Sequence, residues 1–134
     1  MDKKELNCIL KLHSLWLKDS SKGERADLSG ADLSEANLEN ANLEKANLKE
    51  ANLEGANLTN ANLKRVQLSY TNLKKANLSN AILTRANMVA VNLSYAILTR
   101  ANLILVNLTF SVLESANLRE TIFKRADLRE AILT

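Results

Sequence analysis

The 134-residue chain has no proline, three glycines, one cysteine, one histidine and only five aromatic residues: Trp16, Tyr70, Tyr95, Phe110 and Phe123. The single Cys8 excludes an intramolecular disulfide and any multi-cysteine zinc or iron–sulfur site. The single His13 excludes the usual histidine-based metal and catalytic constellations. Gly23, Gly30 and Gly55 are too scattered to form a phosphate-binding loop. No apolar run approaches ~18 residues, so no segment reads as a membrane span. With 46% apolar and 25% charged residues, the chain is neither disordered nor collagen-like. No cofactor, metal or catalytic group has a candidate, so a non-enzymatic protein is expected.

The first 20 residues do not read as an export signal. Lys11, His13 and Lys18 interrupt the apolar stretch, and no small-residue cleavage site follows. Glycosylation sequons at Asn57, Asn77, Asn92 and Asn107 arise wherever an Asn-Leu pair precedes Ser or Thr. The expected location is the cytoplasm, with no membrane partner.

What is present is a strict register of five. From residue 28 to 133 a large apolar residue recurs at every fifth place in 22 units, Leu throughout except Met88 and Phe123. Two places earlier stands a small residue, usually Ala, and between them Asn or Asp in most units. Ala, Leu, Glu and Lys favour helix, but a period of five rotates successive leucines by about 140° around a helix. In a strand the odd spacing would send them to opposite faces. The pattern therefore needs a backbone that turns once per unit, with Leu and the small residue inward and Asn assisting the corner. Such coils bury their leucines only by stacking, which is the logic of a solenoid. Thr71, Ser111 and Thr121 fit the small-residue position if their hydroxyls bond nearby backbone carbonyls.

Runs such as Ala26-Asp27-Leu28-Ser29-Gly30 and Ala56-Asn57-Leu58-Thr59-Asn60 resemble the motif of the pentapeptide-repeat proteins. The long Ala-Asn-Leu runs look similar to those of cyanobacterial and other bacterial members. The resemblance implies an all-β fold, a right-handed quadrilateral β-helix with four units per coil. Twenty-two units then make about five and a half coils, a rod roughly 26 Å long at ~4.8 Å per coil. Recurrence of Asn40, Asn60 and Asn80 supports a period of twenty, whereas the similar segments 81–95 and 96–110 suggest a rival period of fifteen. Four sides are expected, with the shorter similarity a record of duplication.

Residues 1–25 form a separate N-terminal segment ahead of the 26–134 solenoid. Leu6, Ile9, Leu10, His13, Trp16 and Leu17 share one helical stripe, widened by Leu12 and Leu15. Asp2 and Glu5 suggest a helix start, and Ser20-Ser21-Lys22-Gly23 a stop. An amphipathic helix here is expected to cap the first coil, with Cys8 a buried thiol and His13 on the capping face. The last coil shows no matching lid, so a homodimer through that end is expected.

Charge is divided along the chain. Residues 26–60 carry net −5, and residues 61–134 carry net +6. The resemblance implies a possible activity, DNA mimicry, in which fluoroquinolone-resistance members present an acidic rod to DNA gyrase. The basic later coils oppose that reading. On four sides, Lys45, Arg65, Arg85 and Arg125 line one edge, broken by Leu105. Without dense charge and stacking aromatics, this edge reads as solvated rather than as a nucleic-acid surface. Apolar residues at outward positions are more informative. Ile82, Ile104, Leu105 and Ile122 are expected on one face, beside a face bearing Tyr70, Val89 and Phe110. This surface suggests binding of a protein partner in a regulatory or scaffold role.

Overall fold

The computed structural model describes residues 1–134. One helix, α1 (Lys3–Lys18), precedes a backbone that turns a corner every five residues. Parallel bridges pair residues one coil apart, from Asp27 with Asn47 to Val112 with Ile132, always at a separation of twenty. The coil is therefore four-sided. The fifteen-residue similarity does not set the coil, because any multiple of five keeps the inward pattern without dictating which coils pair.

The corners have one geometry. The small residue's N–H donates to the carbonyl of the preceding Leu, as from Ala31 to Leu28 at 3.1 Å. The residue just before it has φ between 54° and 68° at every corner from 30 to 130. Positive φ confined to the third residue of such a turn defines type II. Glycine fills only two of these corners, at 30 and 55. Valine, isoleucine and threonine fill none, because a β-branched side chain is badly strained at positive φ.

Every N–H of a typical unit can be traced. In the unit 46–50, Ala46 donates to Leu43, Asn47 to Ala26 of the preceding coil, and Leu48 to Gln67 of the next. Glu50 donates to Ser69, also on the next coil. The remaining N–H, that of Lys49, is taken by the Asn47 side chain at 3.2 Å. Asn thus completes the backbone pairing of its unit, and its amide also reaches up the column, as from Asn62 to Asn42 at 3.1 Å. Inside, the large apolar residues from Leu28 to Leu113 and the small residues from Ala46 to Ser111 are buried, while Ala31, Ala36 and Ala41 are half-buried against the same core. Thr71, Ser111 and Thr121 donate their hydroxyls to Leu48, Met88 and Leu98 carbonyls at 2.7–2.8 Å.

Helix α1 starts at Asp2, whose carboxylate accepts the Glu5 N–H at 2.8 Å. Leu6 belongs to the solenoid core, and Ile9 and Leu10 pack against it. Two expectations are corrected here. Cys8 is exposed, and Leu15 is 42% exposed. Each is two residues, or about 200°, from a buried position (Leu6 and His13), which puts both on the solvent side. At the helix end Gly23 has φ 64°, and a Cβ there would collide with the Leu12 carbonyl.

Candidate partner-binding surface

Numbered in chain order from residue 26, the fourth side consists of units 41–45, 61–65, 81–85, 101–105 and 121–125. Its corner column carries Lys45, Arg65, Arg85, Leu105 and Arg125, all exposed at positive φ. The neighbouring column reads Glu44, Lys64, Thr84, Ile104 and Lys124. Ile104 and Leu105 are thus an aliphatic pair standing one coil from Thr84-Arg85 and one coil from Lys124-Arg125. Sequence reasoning singled out the arginine edge and the aliphatic residues separately. It missed Lys64 and Lys124, which a twenty-residue spacing from Ile104 would have placed in the same column.

The third column of this side carries Asn62, Ile82, Asn102 and Ile122, bridged in that order. Ile122 is 48% exposed, Leu105 is 38% exposed, and Ile82 and Ile104 are half-buried. The first side adds Val89, half-buried, and the corner column of Tyr70, Ala90 and Phe110, where the two rings stand two coils apart. Tyr70 and Phe110 are 66% and 62% exposed. Leu105 and Phe110 mark opposite edges of unit 106–110, so the two apolar groups adjoin.

Placing Ile where Asn normally stands carries a cost. Asn102 accepts the Ile104 N–H at 3.0 Å, and Asn62 accepts that of Lys64 at 3.2 Å. Ile82 and Ile122 offer no acceptor, so the N–H groups of Thr84 and Lys124 lack the bond their column otherwise supplies. The electrostatics also stand apart. The two ion pairs of the chain are Arg100–Glu120 at 2.8 Å and Arg129–Asp127 at 2.6 Å, both off the fourth side. Lys64, Arg65, Arg85, Lys124 and Arg125 have no carboxylate partner.

Elsewhere the polar groups are accounted for by the turns. Ser29 and Ser34 each donate a hydroxyl and an N–H to Asp27 and Asp32, holding both carboxyls below their ordinary range. No three His, Cys, Asp or Glu side chains gather as a metal site. No helix is long and apolar enough to cross a membrane. A cleft of about 310 Å³ beside the start of α1, lined by Asp2, Leu6, Asp32 and Leu33 among others, brings no nucleophile and base together.

Five-residue units, type II corners and four-sided parallel stacking define a right-handed quadrilateral β-helix. The chain belongs to the pentapeptide repeat family: the description "Pentapeptide repeats" matches residues 26–65, 61–100, 86–125 and 96–134. Comparison with curated proteins by sequence finds no match. Among solved structures, the chain is similar to QnrB1, a plasmid-mediated fluoroquinolone resistance protein, with 23% identity and a TM-score of 0.69. That match covers 85% of this chain but spans only 62% of QnrB1, and it is a likeness of fold. Alr5209, a pentapeptide repeat protein from Nostoc PCC 7120, is 30% identical over 83% of this chain and 71% of its own, with a TM-score of 0.48. Rfr23 from the cyanobacterium Cyanothece 51142 is 25% identical over 93% of this chain and 99% of its own, with a TM-score of 0.46.

Proposed function

We propose that the chain is a non-catalytic protein-binding module, with a regulatory or scaffold role in the cytoplasm, acting through the apolar outer surface of its later coils. The observation that carries this is the replacement of Asn by Ile at 82 and 122. Each replacement gives up a turn hydrogen bond worth about 0.5–1.5 kcal/mol and leaves aliphatic surface at the outside of the rod. The lost bond favours Asn and aliphatic burial favours Ile; on the fourth side these isoleucines adjoin the exposed Leu105, and that contiguous apolar surface supports a contact outside the chain.

The test is a pair of variants, Ile104→Ser with Leu105→Ser, and Ile122→Asn. Both are expected to keep the far-ultraviolet spectrum of the parent. Ile122→Asn is expected to unfold at the same temperature or a few degrees higher, because Lys124 regains an acceptor. Loss of cooperative unfolding in the Ser variant would make these residues structural and end the proposal.

A second copy is a further proposed partner. The N–H groups of Leu118, Phe123, Leu128 and Leu133 have no acceptor within the chain, and their side chains are half-buried or exposed. They form a ladder edge with apolar side chains, suited to a two-fold pairing. Light scattering at high concentration is expected to give a dimer mass, and a monomer mass would remove this proposal. Gyrase binding by DNA mimicry is the alternative. It would require acidic charge along a surface that carries unpaired lysine and arginine, and a supercoiling assay insensitive to the protein would exclude it.

A further inference from the structure

We infer that the fourth side of the solenoid receives an acidic amphipathic helix of a partner protein, with its apolar stripe on Ile82, Ile104, Leu105 and Ile122. This inference rests on the reading of the later coils as a protein-binding surface, and it names the chemistry of what binds. From the unit 61–65 to the unit 121–125, the side carries five cations and no carboxylate. None of the five is ion-paired, although the chain forms such pairs on its other sides.

Stacked like charges are themselves unfavourable. Arg65 and Arg85 stand in adjacent coils of one column, an arrangement that costs rather than contributes stability. The one carboxylate on this face is Glu44, in the coil before Lys64 and not ion-paired to it, whereas acids are abundant in the early coils, so the sequence does not lack acids in general. An incoming segment bearing Glu or Asp would neutralise both flanks of the Ile104–Leu105 pair at once.

The dimensions suit a helix. Three coil steps of ~4.8 Å span about 14 Å, which is about nine residues of helix at 1.5 Å each. The aliphatic residues occupy the last three of these four coils; Lys64 and Arg65 precede them, Arg85 shares a unit with Ile82, and Lys124 and Arg125 share a unit with Ile122. A helix with apolar residues at i, i+3, i+4 and i+7 and carboxylates beside them presents the complementary pattern. Nucleic acid fits less well, because stacking needs flat side chains and the centre of this side is aliphatic.

A display library of random 16-residue peptides selected on the full chain tests the inference. Counter-targets are a charge-reversed variant (Arg85→Glu with Arg125→Glu) and the Ile104→Ser, Leu105→Ser variant, each verified by its far-ultraviolet spectrum. The expected pool is rich in Glu and Asp with helical apolar spacing, and its peptides bind both variants at least tenfold more weakly. Peptides that lose affinity for the Ser variant but not for the charge-reversed one would overturn the acidic partner and leave the apolar surface standing. Peptides indifferent to both variants, or no selected pool, would overturn both. Duplex DNA binding with a steep salt dependence, abolished by charge reversal and unchanged by the Ser substitutions, would overturn the helix in favour of nucleic acid.

Discussion

Single residues in this fold are constrained by backbone accounting more than by side-chain size. Asn77 accepts both the N–H and the hydroxyl of Ser79, at 3.0 and 2.6 Å. Asn77→Ala strands that half-buried N–H and is expected to cost about 1–2 kcal/mol in chemical denaturation. The glycines separate just as sharply. Gly30 has positive φ with nothing within 4 Å of a Cβ, so Gly30→Ala is expected to cost only the backbone strain, about 1–2 kcal/mol. Gly23 combines positive φ with contact against the Leu12 carbonyl, and Gly23→Ala is expected to cost clearly more. Equal melting temperatures for the two variants would contradict this account.

Helix α1 docks on the first coil through its one buried polar side chain. His13 accepts the Ala26 N–H on Nδ1 at 3.0 Å, the bond that later units obtain from the Leu of the preceding corner. The imidazole thus substitutes for a missing turn. Its Nε2 has no hydrogen-bond partner, and the ring stacks on Trp16 at 5.7 Å. Burial lowers the His13 pKa below its usual 6.5. The Glu44 backbone and carboxylate oppose that shift, and the Arg25 charge adds to it. Protonation turns Nδ1 into a donor and breaks the bond to Ala26. Because the folded pKa is depressed, the contribution is complete above about pH 6.5 and is lost as pH falls toward the folded value. Melting followed by Trp16 fluorescence is expected to drop between pH 7.5 and 5. In a His13→Phe variant that drop is expected to vanish. Asp27 and Asp32, also held low, act in a separate window, losing their contribution as pH falls below the ordinary carboxylate range.

At the scale of the molecule, stability is a sum over neighbouring coils. Deleting residues 61–80 removes one whole coil and leaves every column in line, so the shortened chain is expected to fold. Deleting residues 81–95 also preserves the inward leucines but rotates all later units by one side. That chain is expected to retain a β-rich spectrum while losing the fourth side's alignment of Arg65 with Leu105 and Arg125. It is therefore expected to lose the peptide binding that the 61–80 deletion keeps in weakened form. Failure of both deletions to fold would show that the coils are not independent neighbours.

The repeat of five was decisive in the sequence because core volume admits only Leu and a small residue at each inward place. That alone determined a solenoid and identified its inward residues, and the Asp2 start of α1 was equally legible because capping is local. The type II corners were also encoded, in the absence of β-branched residues from the fifth position, although that signal means nothing until the turn is known. Only the tertiary structure decided that coils pair at twenty rather than fifteen, because the inward pattern is the same for both and inter-coil hydrogen bonds are what distinguish them. It also decided that Cys8 faces solvent, that His13 replaces a missing turn, and that Lys64 and Lys124 share a column with Ile104. Those are relations between residues far apart in the chain, fixed by stacking rather than by local preference.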